Sequence, residues 1–301
     1  NTQVSLDQSW AKATTVIIDA NQIFDVVSNR LILTGSGTGG SRPMRTNGLL
    51  ASSFGTPVIT LEYRGTAATE IESTANYSNT LDLVLAPPSP APYPMGTNSS
   101  QTFNMRNFII GDGAGSVTVD ADIYDPTIDV NNDLTINANA TLSASDNTAL
   151  LVGGSWANTG AFTHSGGTVT FDDASKTSNV TGATTFYNFT CTTANKTLQF
   201  QAHSGGNPVI TFAGTFMITG TSGNHVNVFS TSSGVQWNAH FNTLQANVTY
   251  ANIRDGGCNA GTANANTASS TSVSNNDTCW RFGVTFNGTV YTDEGVTPMA
   301  A

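Results

Sequence analysis

The chain has 301 residues, a formal net charge of -10 and only 10% charged residues. It carries 10 basic residues, too few for the positive stripe that a nucleic-acid binder needs to neutralise phosphates. Glu and Lys are scarce while Thr, Val, Ile and Phe abound, which argues against a helical protein, and no apolar run reaches the roughly 18 residues of a membrane-spanning helix.

The first residue is Asn1, and no charged-then-apolar leader follows it. We read a mature secreted chain, extracellular or at the cell surface, whose signal peptide has been removed. Residues 1–30 form an N-terminal strand or cap segment. Within it, residues 9–13 are a weak helix candidate, and Val16, Ile17 and Ile18 make a strand able to pair with another chain. The run 35–40, Gly-Ser-Gly-Thr-Gly-Gly, looks like a phosphate cradle. It lacks the following Lys-Ser/Thr and the βαβ setting, so it reads as a turn. Residues 58–63 alternate as a strand. Residues 87–94, with five prolines, predict an extended polyproline segment ejected from the body as a loop or arm.

An acidic series follows at Asp120, Asp122, Asp125, Asp129 and Asp133. Asp120, Asp122 and Asp125 are a weak Ca2+ candidate without EF-hand spacing; solvated turn aspartates are the alternative. Thr168–Phe171, residues 185–189 and Thr197–Phe200 alternate as strands that end in turn formers. Asp172 and Asp173 are neighbours; a strand would point them to opposite faces, where they cannot act together, and the alternative is a solvated turn that ends the strand at Phe171. His164, His203, His225 and His240 are scattered, and no Cys/His metal spacing exists. Cys191 shares a strand face with Phe189 and reads as a small buried hydrophobe. Cys258 and Cys279 could pair across their polar loop or stay as free thiols. Nine Asn-x-Ser/Thr sequons are close to the chance expectation for so much Asn, Ser and Thr.

Internal repetition carries more information. Residues 48–50 and 56–61 have counterparts at 160–162 and 167–171, residues 77–81 at 187–190, and 107–111 at 215–220. Two related copies, about 31–111 and 134–220, follow, each holding several coils of roughly 20 to 30 residues. The expected fold is all-β: a parallel β-solenoid over 31–283 with a C-terminal strand extension at 284–301. Its inward positions carry Val, Ile, Leu and Phe, and its outward positions carry ladders of Thr and Asn. A tandem β-sandwich is the competing architecture.

The segments 109–122, 134–145 and 152–160, including Val152-Gly153-Gly154-Ser155-Trp156, resemble the Thr/Asn/Gly-rich β-helix repeats of large surface proteins from environmental bacteria. Residues 248–255 and 279–283 are similar to the closing coil of such regions. The resemblance covers most of residues 31–283, and it makes residues 288–295 look like the opening strand of a further surface domain.

No cofactor and no catalytic residue is expected. The function expected is a non-enzymatic structural subunit of an extracellular filament or tube, a homopolymer grown head-to-tail by strand donation. The donated strand would be C-terminal, with Val284, Phe286, Val290 and Tyr291 at the interface. The alternatives are a monomeric adhesin and a polysaccharide-binding or polysaccharide-cleaving β-helix. In the latter, Trp10, Trp156, Trp237 and Trp280 would offer sugar-stacking platforms and a glycan contact.

Overall fold

The computed structural model describes residues 3–5, 10–26, 30–51, 58–73, 81–203, 209–259 and 261–283. The chain winds as a parallel β-solenoid, laying strands on three sides in a fixed order. On the first side, one sheet of 12 strands runs from Trp10–Ala13 to Thr271–Ser274. Its successive strands begin 20 to 29 residues apart. The second side is broken into three sheets. Val16–Ile18 pairs with Met44–Thr46, four strands run from Ala91–Pro94 to Ala161–Thr163, and four more from Thr184–Phe186 to Gly256–Cys258. The third side opens with Gln3–Ser5, Ile23–Asp25 and Leu49–Ala51, then continues as nine strands from Thr102–Met105 to Trp280–Phe282. Strand pairs on all three sides are parallel and join successive turns, which excludes the antiparallel sheets of a sandwich. Twelve rungs at about 4.8 Å make a stack on the order of 50 Å long.

Trp10–Ala13 is the first strand of the long sheet, in register with Arg30–Leu33. The helix expected at residues 9–13 is therefore a strand. A segment this short cannot nucleate a helix, whereas the ladder satisfies its backbone. Residues 10–26 are thus a coil of the solenoid and not a separate cap. The matched segments of the two copies also fall on different sides. Leu49–Ala51 is on the third side and Ala161–Thr163 on the second. Asn107–Ile110 is on the first and Phe216–Thr219 on the third. The likeness is one of strand sequence, since any inward strand face asks for the same apolar alternation.

The proline-rich segment is not ejected. Ala91–Pro94 is a strand in register with Val117–Asp120, and Tyr93 and Met95 are buried. The physical reason lies in which way each N–H points. Ala91 and Met95 donate to Ser116 and Asp120 on the following turn. Pro92 and Pro94 alternate with them and face the preceding turn, where their carbonyls accept from Thr69 and Ile71. The prolines thus remove donors only on the side where regular pairing stops, as edge-strand prolines do.

Inward positions form one apolar core. Because equivalent positions stack a strand spacing apart, aromatic residues there become ladders. Phe186, Phe212 and Phe241 stack on the second side with centroids 6.1 and 5.4 Å apart. Phe171, Phe189 and Phe216 stack on the third side at 5.1 and 5.5 Å. Trp156, Val169, Phe171, Phe186, Phe189, Phe216 and Ile218 are buried; Phe162 is only half-buried, on the last strand of its sheet. Outward Asn residues bond amide to amide along the axis, Asn132 to Asn107 at 2.8 Å and Asn252 to Asn227 at 2.9 Å.

Charge is concentrated in the early coils. Glu62 is fully buried between Arg30 and Arg64, Glu72 accepts from Arg42, and Asp82 accepts both a 2.8 Å and a 2.5 Å bond from Arg106. A different device holds the middle. Lys196 is fully buried, and its Nζ donates to the carbonyls of Gly153, Asp173 and Lys176 at 2.7, 2.8 and 3.0 Å. All three of its donors are used, tying together successive turns at one corner.

Two outcomes test this packing. Phe189→Ala should destabilise the fold by about 3 to 5 kcal/mol in urea titration, since its ring touches both ladders. Lys196→Met keeps the stem but strands three buried carbonyls, and should cost about 2 kcal/mol.

Candidate functional site

The features with most functional content are the two ends of the stack and one groove on its first side. At the N-terminal end, Val16 and Ile18 direct their backbone groups to the Met44–Thr46 strand: Val16 N–H donates to Pro43, and the Ile18 carbonyl accepts from Asn47. Ile17 lies between them, so its N–H and carbonyl point to the opposite edge. Among the described residues no strand pairs with that edge. Ile18 is buried, Val16 is half-buried against the core, and the Ile17 side chain is 55% exposed.

At the C-terminal end the outermost strands among the described residues are Thr271–Ser274 on the first side and Trp280–Phe282 on the third. All four residues of the former are exposed, Val273 among them at 48%. Behind this rung the core is closed by Trp280, which meets Phe241 edge-on at 5.3 Å and lies 5.7 Å from Trp237. A disulfide joins Cys258 to Cys279 and pins the last turn to the one before it. Cys191 is free and buried, and burial pushes its thiol pKa up to about 11, so it stays a neutral, unreactive group. Val284, Phe286, Val290 and Tyr291 lie outside the described residues.

Trp156, Trp237 and Trp280 do not form platforms, since the first two are fully buried and Trp280 is 3% exposed; the Trp10 side chain lies outside what the structure describes. Asp122 and Asp125 do approach each other, but their third neighbour is Asp146 from the next turn and not Asp120. The Asp120 carboxylate instead accepts the N–H of Asp122, and Asp125 accepts from Ser145 and Asn147. These bonds hold the turns themselves. In the glycine run, Gly39 N–H donates to Glu70, so this loop is stitched to a carboxylate and is no phosphate cradle. His164 stacks on Tyr187, and His225 bonds Asn252. Asp172 and Asp173 both lie beyond the strand Thr168–Phe171, in the turn that ends it. The Asp173 carboxylate, well below the usual range, accepts from Ser175 and pairs with Lys176. The Asp129 pKa is instead raised, first by burial and then by the nearby Asp172 carboxylate.

The groove was invisible in the sequence. It measures about 730 Å³ and crosses four turns of the first side, from Asn158 through Asn179 and Gln199 to Thr231. Every residue lining it is uncharged. One wall is the turn at Gly182, whose φ is +85° and whose missing Cβ would lie 1.7 Å from the Asn158 carbonyl oxygen. Asn158 Nδ2 braces that wall by donating to the Ala183 carbonyl and to Thr184 Oγ1, each at 3.1 Å. Gln201 Oε1 accepts from Gly182 N–H at 2.8 Å. Asn179 and Gln199 are in register on the floor. Unlike the Asn pairs elsewhere, their side-chain amides bond to nothing among the described residues.

The chain matches no family model, no curated protein and no solved structure. Among the described residues no helix is long and apolar enough to cross a membrane.

Two measurements probe this chemistry. Because the folded pKa of Asp129 lies above its unfolded value, the stability linked to it is complete below about pH 3.8 and is lost as pH rises through the raised value. Asp129→Asn should therefore raise the urea midpoint at pH 7 and leave it unchanged at pH 3. Reduction of the disulfide should lower stability by about 3 kcal/mol, read as a shift of the same midpoint under thiol.

Proposed function

We propose that the chain is a non-enzymatic structural subunit of an extracellular filament or tube, assembled head-to-tail from copies of itself. The observation that carries this reading is the pair of unlike, open rungs. A parallel solenoid is polar: every strand on a side runs the same way, so one end cannot pair with its own kind without reversing direction. It can pair with the opposite end of another copy. The terminal strands are compatible in length, four residues each for Trp10–Ala13 and Thr271–Ser274, and three each for Gln3–Ser5 and Trp280–Phe282. A contact of this kind is heterologous and grows into a helical polymer unless it closes a ring. Unpaired edge groups supply the main-chain hydrogen bonds, and few charges are present to blunt those edges. A strand donated from residues 284–291 would provide the same bonds across the joint.

Electron microscopy and sedimentation of the native protein test assembly directly; a particle that stays monomeric at high concentration overturns the reading. Ile17→Pro removes an N–H that faces only the open edge, leaving the bonds to Met44–Thr46 in place. It should shorten polymers markedly while thermal unfolding of the subunit changes little. Deletion of residues 284–301 should also abolish long polymers. If both variants polymerise as the parent does, neither of these segments makes the joint.

A further inference from the structure

We propose that the groove over Asn179, Gln199 and Gln201 binds a neutral glycan chain. Three features of its chemistry lead there. First, its volume of about 730 Å³ falls in the range of ligand sites, and its walls are held by backbone and side-chain bonds that need no ligand to form. Second, the floor offers side-chain amides with both a donor and an acceptor free. Among the described residues Asn179 and Gln199 have no side-chain partner, and Gln201 keeps its Nε2 free there because only its Oε1 is engaged. An amide presents an acceptor and a donor side by side, which matches a pair of adjacent sugar hydroxyls. Third, no charged side chain lines the groove in a protein of net charge -10. A phosphate or a uronic acid would find no cation there. The Arg254 guanidinium lies on the adjoining turn. It rests 4.3 Å above the Phe229 ring and is 3.3 Å from its own counter-ion, Asp255. Phe229 is in register with Gln199, and its ring lies under that guanidinium and not in the groove lining.

The repeat of the fold suits an extended ligand. Amides on successive strands are spaced by about 4.8 Å along the axis. That spacing is close to the rise of one sugar unit in an extended glycan, so neighbouring amides meet neighbouring sugars. The contrast with other outward positions sharpens the point. Asn107 with Asn132, and Asn227 with Asn252, satisfy each other along the ladder. At Asn179 and Gln199 the same geometry leaves the amides facing the groove.

The test is a microarray of neutral glycans, including β-1,4-glucan, β-1,3-glucan, xylan and mannan oligomers, followed by calorimetry on the best binder. Hexagalacturonate serves as the acidic comparison and an unstructured neutral peptide as the protein comparison. We expect at least one neutral oligomer to bind and hexagalacturonate not to. The double substitution Asn179→Ala, Gln199→Ala should weaken that binding at least tenfold with unchanged circular dichroism and melting, since neither side chain bonds to another among the described residues. Gln199→Leu alone should weaken it as well and serves if the double variant folds poorly. The inference is overturned if no neutral glycan binds, if hexagalacturonate or the peptide binds better, or if both variants bind as the parent does. The inference is independent of polymerisation: an obligate monomer would bind equally well.

Discussion

Parallel, in-register stacking is the constraint from which the other features follow. Each residue sits one strand spacing from its equivalent on the next turn, so a side-chain type chosen once is repeated as a column. Apolar columns become the core, and aromatic ones become stacked ladders such as Phe186, Phe212 and Phe241. Polar columns become hydrogen-bonded ladders, as Asn107 and Asn132 do. A column of like charges would be repulsive, which accounts physically for so few charged residues and for their pairing where they occur, as in Glu62 between two arginines.

The same constraint makes the corners demanding. There the chain changes direction and its carbonyls no longer meet strand partners. Lys196 meets three of them with one ammonium group, and burial pulls its pKa down from the ordinary lysine value. Gly182 meets another corner by having no side chain at all where the backbone of the preceding turn approaches. Such corners also shape the surface. The groove exists because the Gly182 turn rises beside the flat floor of the first side.

Stacking also sets how the molecule can meet others. Along its sides, backbone groups are satisfied and only side chains are available, so recognition there must use outward columns. At its ends, among the described residues, rungs of backbone lack a further strand partner, and in the proposed assembly another rung of the same spacing and direction fills that place. The proposed assembly at the ends and the proposed ligand binding on a side therefore use separate parts of the molecule.

The sequence by itself determined that this chain is all-β and built of short stacked strands. Period-two alternation in Thr168–Phe171 and Thr197–Phe200, with turn formers between, states which residues face inward, and their burial follows. It also placed Cys191 inside. What alternation cannot state is which side of the solenoid a strand occupies. Each side obeys the same period, so segments that look like two copies are distributed over different sides. Nor could composition show that Ala91–Pro94 is a strand, because that depends on which neighbour each proline faces. The groove was decided only by tertiary structure. Asn158, Asn179 and Gln199 lie about twenty residues apart in sequence, and only the length of each turn, fixed by how its corners pack, brings their side chains onto one floor.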